Sequence, residues 1–67
     1  MNKPKLRGKI AENGYTIRSL ALTVNMAAST LSRAVNGDRD LTVSEAAALS
    51  RALHIDDPAE RANIFLN

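Results

Sequence analysis

Sixty-seven residues, 45% apolar and 24% charged with no cysteine, allow one modest core without disulfides or thiolate metal sites. No apolar run approaches the ~20 residues that span a membrane and no signal peptide is visible. A single domain over residues 1–67 leaves no room for a separate ligand-sensing or cleavage domain. The net charge of +2 is unevenly spread: residues 1–33 hold six cations against Glu12 (net +5), and residues 34–67 hold three against six acids (net −3). Such asymmetry turns one basic side toward a polyanion, or else marks a solvated basic segment.

In chain order, Met1 to Lys3 reads as a loose start. Pro4 suits a first helical position, where its missing N–H would have no partner. Leu6 and Ile10 face inward, and Asn13-Gly14 ends this helix. Gly8 inside it costs about 1 kcal/mol relative to Ala, which the close approach of another helix would explain. Lys5 and Lys9, four apart, are free to meet phosphates or water. Tyr15 then packs its ring at the core margin with the hydroxyl toward solvent.

Thr16 to Gly37 reads TIRSLALTVNMAASTLSRAVNG, two short amphipathic segments about a tight turn at Asn25-Met26. Ile17, Leu20, Ala21 and Val24 recur at i, i+3, i+4 and i+7, one helical face, which Thr16 can cap. Leu22 projects almost opposite, as an isolated exposed leucine or a partner contact. In the second segment Leu31, Ala34 and Val35 share a face with Ala27, and Asn36-Gly37 supplies a stop. The other face carries Ser29, Ser32, Arg33 and Asn36, hydrogen-bonding groups where a merely solvated helix carries Glu and Lys.

At these residues the chain resembles the helix-turn-helix of temperate-phage repressors and Cro-like proteins. The matching positions are Thr16, Leu20-Ala21, Val24, Met26, Thr30-Leu31-Ser32-Arg33 and Asn36-Gly37, with Ala21 small enough for two helices to cross closely. Ile17 stands where that family often has glutamine. Asn25 replaces the usual turn glycine, and Asn tolerates the left-handed conformation better than most residues. The resemblance implies an all-α fold, a compact bundle of about five short helices.

Beyond Gly37, Asp38-Arg39-Asp40 reads as a polar loop and Thr42-Val43-Ser44-Glu45 as a capping box. Val43, Ala46, Leu49 and Leu53 line a fourth helix, widened by Ala47 and closed by His54 and Ile55. His54, the only histidine, suits a helix C-terminus or the surface better than a ligand or catalytic role. Asp57-Pro58-Ala59-Glu60 starts a fifth helix with an Asp cap, Pro at its first position and Glu at its third. It ends in Ile64-Phe65-Leu66. Three consecutive bulky residues cannot all face one core, so Phe65 is expected to plug the domain and leave Ile64 or Leu66 available.

With one His, no Cys, no glycine-rich phosphate loop and no metal-spaced cluster, no enzyme, cofactor, metal site or small-molecule ligand is expected. The resemblance implies instead a regulator binding a double-stranded DNA operator in the cytoplasm of a bacterial host. Residues 28–36, roughly 13 Å long at ~1.5 Å per residue, fit a major groove about 12 Å wide. Ala28, Ser29 and Thr30 would point at base edges, with Ala28 and the Thr30 methyl suited to thymine. Ser32 is more ambiguous. Arg33 can hold a guanine, clamp a phosphate or pair with an acid. Arg18, Asn36 and Arg39 would bind phosphate, with Ile17 at the same surface. A weak homodimer formed on DNA through Ile64 and Leu66 would place two such helices on a palindrome. The rival expectation is a small interaction module that binds another repressor, favoured by Ile17, Leu22 and the Ala27-Ala28 pair.

Overall fold

The computed structural model describes residues 1–66. Five helices follow one another: α1 Lys3–Glu12, α2 Ile17–Thr23, α3 Ala28–Val35, α4 Val43–Ala52 and α5 Pro58–Phe65. No strand occurs among the described residues, and the all-α bundle expected from the sequence is what forms.

Local chemistry sets the starts of these helices. Thr16 accepts from the Ser19 N–H at 3.1 Å while the Ser19 hydroxyl takes the Thr16 N–H, a reciprocal cap in which serine fills the usual Glu position. Thr42 and Glu45 make the expected capping box. Asp57 caps α5 through the Ala59 N–H. Glu60 turns away from that cap and reaches Lys9 of α1 at 3.0 Å. The N-terminus is tied down rather than loose: Asn2 caps α1 by accepting from the Lys5 N–H, and its own N–H donates to the Ile64 carbonyl at 2.7 Å. Pro4 therefore occupies the second helical position.

The first four helices end alike. Gly14, Asn25, Gly37 and His54 follow the caps with φ of 76°, 59°, 85° and 57°. In each case the next residue's N–H returns to a carbonyl five positions back: Tyr15 to Ile10, Met26 to Ala21, Asp38 to Arg33 and Ile55 to Ser50. These are Schellman caps, which satisfy orphan carbonyls and turn the chain sharply. Asn25 holds the turn without a glycine, as the sequence led us to expect. At Gly37 the left-handed φ of 85° favours glycine, and an added Cβ would stand 3.2 Å from the flexible Lys3 side chain, which would have to shift slightly.

The core gathers Leu6 and Ile10 of α1, Leu20 and Ala21 of α2, Leu31 and Val35 of α3, Leu49, Leu53, Ile55 and Ile64. Each fully buried Leu or Ile contributes about 1.5–3 kcal/mol, so this cluster outweighs the surface ion pairs. Three placements differ from expectation. Ile64, not Phe65, is the plug: it is fully buried, Phe65 is half-buried and Leu66 is 83% exposed. Val43 is 89% exposed, because the first turn of α4 projects past the core and the inward positions are Leu49, Ser50 and Leu53. Ala27 lies outside α3 as its extended N-cap and is exposed. Buried Ser50 is satisfied by donating to the Ala46 carbonyl at 2.8 Å.

Gly8 also departs from expectation. It is exposed, and an added Cβ would meet nothing within 4 Å, so no helix packs against it. Its φ is helical, leaving only the entropic penalty of glycine. Gly8→Ala should therefore raise unfolding free energy by about 0.5–1 kcal/mol, read from urea melts. An unchanged or lowered midpoint would show that the added methyl costs the folded helix as much as it saves in the unfolded chain.

Candidate nucleic-acid interface

α2 and α3 are joined through Val24 to Ala27. The left-handed Asn25 and the 2.9 Å bond from the Met26 N–H to the Ala21 carbonyl set the angle between them. Ala21, 2% exposed, leaves room for the crossing, and Leu20 and Leu31 are fully buried in the shared core. This packing decides which side of α3 faces water. Leu31, Ala34 and Val35 turn inward, while Ser29, Arg33 and Asn36, spaced by four and three, lie exposed along the outer face.

The other candidate residues sort by environment. Ser32 and Thr30 are half-buried beside the outer line. Ala28 is partly buried and packs against the core, so its methyl serves the fold at least in part. Ile17, the first residue of α2, likewise packs on the core, and it lines a shallow depression with Arg7, Tyr15, Ser32 and Asn36. Arg18 and Arg33 are exposed and make no ion pair among the described residues. Their charge faces solvent uncompensated.

Arg39, expected at phosphate, is engaged within the chain. Both arms of its guanidinium engage Glu45, at 2.9 and 3.1 Å, and the same carboxylate accepts the Thr42 N–H at 2.9 Å. The fork is spent on fastening the α3–α4 loop to the start of α4. Lys9 is similarly occupied, at 3.0 Å from Glu60 and 3.6 Å from Glu12, rather than free for phosphate. Its proton is held more tightly than usual, chiefly through the bond to Glu60.

In place of Lys5 and Lys9, Lys3 and Arg7 reach the candidate surface. The Arg7 Nη2 donates to the Asn36 Oδ1, and the Lys3 Nζ lies 3.5 Å from the Asn36 carbonyl oxygen. The available signal was the i, i+4 spacing of the two cations beside the inward Leu6 and Ile10. What it could not provide was that this side of α1 meets the end of α3.

Residues 6–57, which take in most of α1 and all of α2 to α4, match the model of a family described as helix-turn-helix. No curated protein and no solved structure matches the chain.

The Arg39–Glu45 pair has a pH signature. The guanidinium first, and the Thr42 N–H next, hold the Glu45 carboxyl below its usual value of 4.5. A folded-state value below the unfolded one means stability that is complete above the unfolded value and lost as pH falls through the folded one. Between about pH 5 and 3, Glu45→Gln should therefore lose less of its denaturant midpoint than the wild type does. Parallel acid profiles would assign the acid sensitivity to other carboxylates.

Proposed function

The chain belongs to the helix-turn-helix family of DNA-binding domains, and from that premise we propose that it is a sequence-specific transcriptional regulator of phage or prophage repressor type, Cro-like in size. In this reading α3 lies in the major groove of a double-stranded operator, and the site of action is the cytoplasm of a bacterial host. The observation that carries it is the sorting of α3: Leu31, Ala34 and Val35 are buried while Ser29, Arg33 and Asn36 stand exposed in one line. Eight residues make a helix about 12 Å long, which a major groove of similar width admits. Ser29 and Thr30 meet base edges at its leading end. Arg33, in no ion pair among the described residues, offers the fork that pairs with guanine O6 and N7. Arg18 and Asn36 bind phosphate.

Binding-site selection from random DNA, followed by Arg33→Ala, tests this. Loss of Arg33 should cost ~1–3 kcal/mol on the selected site and relax base preference at one position of each half-site. An equal loss on selected and random DNA would make Arg33 a phosphate contact. A second reading, a module that binds another repressor, draws on Leu22, which is 79% exposed on α2. Heparin retention and a salt-dependent mobility shift distinguish the two, appearing for the DNA-binding regulator and failing for the module.

Pairing on a palindrome would set a second recognition helix about one DNA turn, ~34 Å, away. The sequence pointed to Ile64 and Leu66 for that contact, but Ile64 is consumed by the core. Val43 takes its place: with Leu66 it flanks a groove of about 840 Å³ whose walls include Leu41, Ala46, Ala47 and Phe65. So small a patch supports pairing on DNA better than a stable free dimer. Because Leu66 is exposed, Leu66→Lys should leave the melting curve unchanged and abolish cooperativity on a two-half-site operator. Cooperativity that survives the substitution would place the dimer contact elsewhere.

A further inference from the structure

Asn36 ends α3 with both its side-chain oxygen and its carbonyl oxygen facing cations of α1. Its backbone N–H donates to the Ser32 carbonyl at 3.0 Å. Its side-chain oxygen accepts from Arg7, and its carbonyl lies within reach of Lys3. A guanidinium can only donate, so the amide must present its oxygen to Arg7. The NH2 group, a pure donor, is thereby turned away from α1. Reading adenine bidentately needs an amide that offers donor and acceptor together. With its oxygen engaged by Arg7, Asn36 offers its NH2 group most freely.

Lys3 and Arg7 are exposed and have no acidic partner among the described residues, in contrast to Lys9 on the same helix. Two unneutralised cations and an outward amide donor therefore meet at the trailing end of α3. Ser32 lines the depression beside Arg7 and Asn36.

We propose that Lys3, Arg7 and Asn36 form a clamp for a DNA backbone phosphate, with Arg7 as the positioning residue that orients the Asn36 amide so that its NH2 group can donate to the phosphate. The inference rests on the DNA-binding reading above and adds α1 to the interface. Arg7 acts twice, as a charge near the phosphate and as the group that orients the amide. The clamp pins the register of α3 from its C-terminal end and carries no sequence information of its own.

The test uses fluorescence anisotropy of the whole chain on a random-sequence duplex of about 20 base pairs, from about 50 to 200 mM salt, with thermal melts in parallel. Arg7→Gln keeps a donor for Asn36 and removes the charge. It should melt like the wild type, bind several-fold more weakly at low salt and flatten the slope of log affinity against log salt by about 0.9. Arg7→Lys should retain that slope. Asn36→Asp gives Arg7 a better partner but turns a carboxylate toward the phosphate. Its affinity should fall at least about tenfold with no loss of thermal stability. Wild-type binding with an unchanged slope in Arg7→Gln would overturn the clamp and leave the DNA-binding reading intact. Affinity losses that track losses in melting temperature would also overturn it, by making the cluster structural. Absence of wild-type binding even at low salt would overturn both.

Discussion

Four left-handed residues hold this architecture in shape. Helices of seven to ten residues bury too little to choose their own crossing angles, so the connections must impose them. Gly14, Asn25, Gly37 and His54 do so by the same hydrogen-bond pattern, each sending the chain back within three residues. The pattern also places the residue after the turn: Tyr15 and Met26 pack on the core, and Ile55 is buried within it. Two of the four positions are not glycine. There the bundle accepts local backbone strain in exchange for a side chain, modest for asparagine and larger for histidine.

From those turns the candidate interface follows by exclusion. Once α2 and α3 cross at Ala21, the apolar side of α3 is consumed and only Ser29, Arg33 and Asn36 remain fully outward. Electrostatics then refine the surface. Of the cations on the basic half, Lys9 is withdrawn into a bridge between α1 and α5, while on the acidic half Arg39 is withdrawn into the loop after α3. Those left without an acid among the described residues, Lys3, Arg7, Arg18 and Arg33 among them, give the basic half its outward field. A count of charges in the sequence could not have separated the two groups.

What the sequence made legible was chemistry whose cause and effect lie within a few residues. Thr16, Asn25, Gly37, Thr42 with Glu45, and Asp57 all announce turns and caps, and each behaves as its local chemistry dictates. The alternation of faces on α2 and α3 was also readable, because several apolar residues at helical spacing agree on it: Ile17, Leu20, Ala21 and Val24 about α2, and Leu31, Ala34 and Val35 on α3. Positions decided by a distant neighbour were not readable. Val43 fits the periodic stripe, yet no element covers the first turn of α4. Ile64 and Phe65 are interchangeable by composition, and only the docking of α5 beside α1 selects Ile64. Glu60 has the spacing of a capping partner, but Lys9, fifty-one positions earlier, offers it a full charge. Arg7 was passed over for the same reason, since its partner lies twenty-nine positions away.

The bond between Asn2 and Ile64 brings the two ends of the described chain together, so the contacts of this fold differ widely in the length of loop they must close. Contacts within the α2–α3 hairpin span few residues and can form as soon as the turn at Asn25 does, whereas joining α1 to α5 must gather nearly the whole chain. Because closure entropy is paid before such distant contacts reward it, joining the two ends is the costliest closure. On loop-closure grounds alone, the unit that faces outward is the one that costs least to assemble. The seam between α1 and α5, with its Lys9–Glu60 bridge, would be the first part to open again. Since α1 also carries Lys3 and Arg7, such opening would loosen the basic flank of α3 while leaving α3 itself folded.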